Sequence, residues 1–124
     1  MTRAKAAERY HMDRVAQLGC VVCKRAGQVG LGYNPLEIHH IATGSGKRSH
    51  FSVARLCYEH HRGHLGINGG MGLQRFIRLY RPPGDTEYGL LVWVNEDLAE
   101  LDLRDVRRDK GILLADALKR IARD

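Results

Sequence analysis

Three cysteines and seven histidines carry most of the coordination chemistry of this 124-residue chain, and all ten lie before residue 65. Cys20-Val21-Val22-Cys23 is a C-x-x-C pair. Cys57-Tyr58-Glu59-His60 repeats that spacing with histidine last, after 33 intervening residues. A two-residue spacer lets one tight turn aim two side chains at a single ion, and two such turns supply the four S and N donors of a tetrahedral structural zinc. An odd number of cysteines cannot close into a set of disulfides, which also favours the metal. Cys20, Cys23, Cys57 and His60 are the expected zinc ligands.

The other histidines cluster around these pairs. Leu36-Glu37-Ile38-His39-His40-Ile41 reads as a short strand, on which successive side chains point to opposite faces. One of His39 and His40 can then hold a metal while its neighbour addresses a substrate. His61 and His64 follow the second pair at i and i+3 and share a helical face. Together with His39 they would form an open site of two or three neutral nitrogens, with positions left for water and a phosphate oxygen.

The elements that must position these groups follow from periodicity and turn chemistry. Residues 2–18 read as a helix with Ala7, Tyr10, Val15 and Leu18 sharing one face, ended by Gly19. Residues 27–35, rich in Gly, Asn and Pro, read as a loop, and 43–49 as a flexible basic loop between the first strand and a second at 52–56. The two strands would make a hairpin. Residues 58–65 are expected as a short helix, 66–70 as a Gly-rich loop, and 71–80 as a helix whose apolar face carries Leu73, Phe76, Ile77 and Tyr80. Arg75, Arg78 and Arg81 fall elsewhere on it, on a solvated face or against phosphates. Arg81-Pro82-Pro83-Gly84-Asp85 breaks the chain. Periodicity does not decide between strand and helix for 88–95, whereas 112–123 reads as an amphipathic helix through Leu114, Leu118 and Ile121 that docks on the domain or on a second subunit.

The break at 81 coincides with a reversal of charge. Residues 1–81 hold 13 Lys/Arg against 4 Asp/Glu, and residues 82–124 hold 7 against 10, within an overall balance of +6. The segment that carries the metal-binding residues is thus also the one suited to a polyanion. The division gives a core at 1–81 and an extension at 82–124 that packs on the core or a second subunit. No apolar run approaches the roughly 18 residues needed to span a bilayer, and the N-terminus has no hydrophobic signal core, so a cytoplasmic location is expected.

Cys20-x-x-Cys23, Ile38-His39-His40-Ile41 and Leu56-Cys57-x-x-His60-His61-Arg62 together resemble an HNH or His-Me finger nuclease, whose ββα-metal core lies between two zinc-binding turns. The longer string, adding Leu18-Gly19, the Gly44-x-Gly46-Lys47-Arg48-Ser49-His50 loop and Gly63 through Phe76, is similar to the phage recombination-enhancement, RecA-dependent nucleases. The resemblance covers about Tyr10 to Tyr80 and implies an α+β fold with that core. It implies that His39 binds a catalytic Mg²⁺ or other divalent ion, with His61 as second ligand and His64 as a weaker third. His40 would then be the general base, a role suited to a group with an ordinary pKa near 6.5. The residue that orients the base is often asparagine in that family. Here the stretch is Ser49-His50-Phe51-Ser52, and His50 or a backbone carbonyl could serve. Asn68 stands where the group often has a histidine. Lys47, Arg48 and Arg62 are the implied phosphate contacts, joined by Arg75 and Arg78.

These residues lead to a small zinc-stabilised, metal-dependent DNA endonuclease with DNA as partner and an open oligomeric state; the resemblance implies a RecA filament as a second partner. Two other readings fit the same residues. One is a zinc-ribbon-like nucleic-acid-binding module without catalysis; the other is the HNH component of a phage packaging machine.

Overall fold

Two strands and five α-helices, in the order α-α-β-β-α-α-α, make up a computed structural model that describes residues 3–27, 36–42 and 48–123. Helix α1 (Ala6–Ala16) starts later than the apolar pattern alone predicts, because the Glu8 side chain accepts from the Lys5 backbone N–H at 2.9 Å and fixes the first turn there. Helix α2 (Val21–Ala26) begins at Cys20 and ends on Gly27, whose φ of 66° suits a residue without a Cβ. What the spacing predicts as a bare zinc turn is therefore the opening turn of a helix.

Strands β1 (Leu36–Ala42) and β2 (Arg48–Cys57) pair antiparallel with Leu36 opposite Cys57, His39 opposite Ala54 and His40 opposite Val53. After His40 the register becomes irregular before Ala42 meets Arg48. The second strand is longer than expected and takes in Arg48 to Phe51; of the expected basic loop, residues 43–47, with Lys47 among them, lie outside the described residues, as do 28–35 of the earlier loop. Helix α3 (Tyr58–His61) follows β2 without a linker and lasts one turn, not the two expected. Helix α4 (Leu73–Tyr80) and a 3₁₀ turn (Pro83–Asp85) lead into α5 (Gly89–Arg123). Residues 88–95 thus enter a helix, and the terminal amphipathic segment is the far end of that same 35-residue helix.

One apolar cluster joins these elements. Val15, Val21, Val22, Ile41, Val53, Leu56 and Phe76 pack with Leu90, Trp93, Val94 and Leu101 of α5, a stripe spaced for one helical face. Ion pairs clamp that helix along its polar edge: Arg14 bridges Asp102 and Asp105, Lys24 bridges Asp97 and Glu100, and Arg25 bridges Glu96 and Asp97. Beyond them Leu114, Leu118 and Ile121 are exposed. No described helix is long and apolar enough to cross a membrane.

Candidate metal centres

The two cysteine pairs use the same local device. Cys20 is the N-cap of α2 and its Sγ accepts the Cys23 backbone N–H at 3.4 Å; Cys57 is the N-cap of α3 and its Sγ accepts the His60 N–H at 3.5 Å. The C-x-x-C and C-x-x-H spacing is the distance from N-cap to N3, so each helix start carries a donor pair on one side. The hairpin brings the two starts together. All four donor atoms lie within 4.8 Å of one another. His60 Nδ1 is 3.6, 3.4 and 3.2 Å from the sulfurs of Cys20, Cys23 and Cys57, and the Cys23 and Cys57 sulfurs are 3.8 Å apart. A tetrahedral zinc with ordinary bond lengths needs edges of about 3.8 Å between sulfurs and about 3.5 Å from sulfur to nitrogen. His60 is fully buried, and its Nε2 meets the Tyr80 hydroxyl at 3.0 Å, which keeps Nδ1 turned toward the sulfurs.

The electrostatics point the same way. Burial pushes the Cys23 thiol up, and Cys20 and Cys57 beside it push it further; burial likewise raises Cys57. Burial also opposes ionisation of Cys20, but hydrogen bonds from His60 and from the Cys23 and Cys57 backbone outweigh it and bring its pKa to about 7. Three sulfurs this close cannot all ionise without a cation among them, and a bound metal removes that conflict. The donor set fits zinc.

A second group of donors forms on the other side of His60. Alternation along β1 places Glu37 and His39 on one face, and His61, the last residue of α3, meets them with its ring centroid 5.0 Å from that of His39. His39 is buried and its Nε2 lies 2.8 Å from Glu87 Oε1; His61 Nδ1 lies 2.9 Å from Glu37 Oε1. Each carboxylate accepts the outer N–H of its imidazole and leaves the inner nitrogen with a lone pair. Those inner atoms, His39 Nδ1 and His61 Nε2, are 3.4 and 3.5 Å from the side-chain amide nitrogen of Asn68. Both face one point. A rotation of the Asn68 amide would present its oxygen there instead, making a third ligand. Burial lowers the His61 pKa, with the Glu37 hydrogen bond opposing it, so His61 is neutral at neutral pH as a ligand must be. Arg62 hydrogen bonds hold Glu37 below the usual carboxylate range.

Asn68 reaches the pair because the chain folds tightly back over α3. Ile67 and Asn68 donate backbone N–H bonds to the carbonyls of His60 and His61 at 2.9 and 2.8 Å. At Gly69 a Cβ would lie 2.3 Å from the Gly63 carbonyl oxygen, so no larger residue fits the turn. That turn is what ends α3 after one turn.

Not every expected residue joins this group. His64 is exposed, and among the described residues no bond ties it to His39 or His61. His40 follows on the alternate side of β1, with its Nε2 3.2 Å from His50 Nδ1. Arg62 pairs with Glu37, at 3.0 Å from Nε. Arg75 and Arg78 are exposed on α4 with no carboxylate partner among the described residues. Of the positive charge in residues 1–81, the part on Arg14, Lys24 and Arg25 is neutralised by α5. Glu37 and Glu87 were not expected at the site. The i, i+2 relation of Glu37 to His39 is a usable signal, but Glu87 comes from across the charge boundary and has none.

A model of the recombination enhancement, RecA-dependent nuclease family matches residues 4–100, a span that holds both donor groups, Asn68 and Glu87. No curated protein and no solved structure matches.

Proposed function

The chain belongs to the recombination enhancement, RecA-dependent nuclease family, and from that premise we propose that it is a DNA endonuclease of HNH type that acts with a RecA filament. The observation that carries this reading is the convergence of His39 Nδ1 and His61 Nε2 on the Asn68 amide, each imidazole fixed from behind by a carboxylate. Carboxylate-backed histidines with an open side are the arrangement of a catalytic rather than a structural metal. His39, His61 and Asn68 would hold Mg²⁺ or another divalent ion, with Asn68 in the place expected for His64. Such an ion would stabilise negative charge on the scissile phosphate and its leaving oxygen.

The chain's own residues supply the rest. His40 accepts a proton from water as the water oxygen bonds to phosphorus, and the opposite P–O bond breaks with its electron pair on the departing oxygen, which takes a proton from solvent. His50, 3.2 Å from His40, orients that ring. Glu37 and Glu87 accept the outer N–H of the two rings and so fix the tautomer and orientation of each. Arg48, Arg75 and Arg78, with Lys47, would hold the DNA backbone; such contacts position the strand without reading its sequence.

Nicking of supercoiled plasmid in Mg²⁺ or Mn²⁺, with and without RecA-coated single-stranded DNA, tests the reading. His40→Ala is expected to lose at least about 10²-fold in rate, the usual worth of a general base, while zinc content and folding survive. Cleavage that persists in that variant removes His40 as the base. A wild-type protein that binds DNA but never breaks it, with RecA present, is instead a non-catalytic zinc-ribbon-like module.

A further inference from the structure

A cleft of about 460 Å³ opens beside the histidine pair, between α4 and the turn that leads into α5. Apolar Leu73 and Ile77 line it together with Gln74, Arg78, Arg81, Asp85 and Glu87. Glu87 belongs to both places, because the carboxylate that lines the cleft is the one bonded to His39 at 2.8 Å. The turn is held rigidly. Pro82 is buried, Asp85 N–H donates to the Pro82 carbonyl at 2.9 Å, and Gly89 passes so close that a Cβ would lie 2.3 Å from the Pro83 oxygen. Arg81 and Asp85 take left-handed φ values of 48° and 52°, costly for residues with side chains and maintained only where the surroundings enforce them.

We propose that this cleft is a subsite for one unpaired nucleotide of single-stranded DNA, with its base against Gln74, Asp85 and Glu87 and its phosphate at Arg78 and Arg81. The assignment rests on the nuclease reading only for placing the scissile phosphate nearby. The volume is in the range of pockets that enclose one small ligand unit, about 300–1,000 Å³, so a single base fits where a duplex does not. The chemistry of the lining selects an unpaired base. An amide and two carboxylates offer acceptors for the N–H groups of a base edge, and in a duplex the Watson–Crick donors are already used. Carboxylates would repel a phosphate running down the cleft, whereas Arg78 and Arg81 have no carboxylate partner among the described residues and remain available to it. Cytosine presents an N4 amino donor to such acceptors, and thymine presents a carbonyl oxygen at the same position. The subsite therefore favours amine-bearing bases.

Fluorescence anisotropy with labelled dC12, dT12 and a mixed-sequence 12-base-pair duplex, using the full zinc-loaded chain without added Mg²⁺, tests this directly. The expected result is that dC12 binds at least about fivefold more tightly than dT12 and the duplex, and that Gln74→Leu, an exposed helix position, reduces the dC12 preference to within twofold. Arg78→Ala combined with Arg81→Gly should weaken all single strands about tenfold and reduce the salt slope by between one and two, since each single-strand phosphate contact contributes about 0.7. Glycine at 81 relieves the positive φ, so this variant should fold. Equal affinity for dC12 and dT12, or a preference unchanged in Gln74→Leu, overturns the subsite. Plasmid nicking on the same samples separates the two readings. Cleavage without base preference removes the subsite alone; base preference in a protein that never cleaves removes the nuclease assignment alone.

Discussion

His60 and His61 are consecutive residues on a one-turn helix, yet they serve two donor groups built on opposite plans. His60 points inward, fully buried, to three sulfurs already at the edge lengths of a tetrahedron. His61 points about 100° away, by the helical repeat, to a point that its own ring, the His39 ring and the Asn68 amide surround without enclosing. The first group is complete from local structure, two helix N-caps joined by a hairpin. The second is assembled from four places in the chain: β1, the end of α3, the Gly-rich turn, and the turn before α5. The contrast is that of a donor set closed on itself, as a structural metal requires, and one with ligand positions left open, as a catalytic metal requires.

The largest expected effect breaks the closed site. Structural zinc supplies on the order of 10 kcal/mol of folding free energy in small metal domains, as much as the whole stability of an ordinary domain. Native mass spectrometry should find about one tightly held zinc per chain. Its removal by a strong chelator, or Cys57→Ser, should abolish the cooperative thermal transition seen by circular dichroism. A metal-free chain that still melts cooperatively would show that the hairpin and α5 hold without the quartet. Because α3 carries both histidines, zinc loss should also end DNA cleavage, whereas His40→Ala ends cleavage alone.

A smaller effect sharpens the contrast from the open side. Glu87→Gln keeps an acceptor for the His39 N–H but removes the charge behind it. Loss of such a partner typically costs 10–100-fold in metal affinity or activity. The expected outcome is a rise of that size in the Mn²⁺ concentration giving half-maximal nicking, with zinc content unchanged. An unchanged Mn²⁺ requirement would mean that Glu87 merely packs against His39.

These two sites differed just as much in how far the sequence exposed them. The convergence of Cys20, Cys23, Cys57 and His60 was legible because their spacing is itself the local geometry, N-cap to N3, repeated at Cys20 and at Cys57. The pairing of β1 with β2 and the helix at α4 were legible from alternation and from the Leu73, Phe76, Ile77 and Tyr80 stripe. His39 and His61 could be named, but not the groups behind them, because Glu87 lies 48 residues from its partner and nothing local marks it. His64 was read as a weaker third ligand from its i+3 relation to His61, a rule that assumes the helix continues; the Gly69 approach to Gly63 ends it first. The 88–95 segment was ambiguous for a similar reason. Its apolar residues are dense enough for either period, and burial of Leu90, Trp93 and Val94 against the hairpin decides it.

The smallest effect concerns α5, whose carboxylates clamp the cations of α1 and α2 on the side of the closed site. Asp97 is buried and accepts from Lys24 Nζ at 3.0 Å and Arg25 Nη1 at 2.7 Å, on the α2 side that carries Cys23. Burial opposes its ionisation, but the two cations outweigh it and hold its pKa below the ordinary 3.8. A carboxylate depressed in the folded state stabilises fully above its unfolded pKa, and that contribution is lost as pH falls through the folded value. Asp97→Asn should therefore cost about 1–3 kcal/mol at neutral pH, a melting temperature several degrees lower, with nicking per folded molecule unchanged. The difference in melting temperature between variant and wild type should shrink as the pH is lowered below about 4, whereas protonation of the zinc ligands affects both proteins alike and cancels in the difference. A constant difference down to pH 3 would mean that Asp97 acts through packing rather than charge, and the α2 clamp would then rest on Glu96 and Glu100 alone.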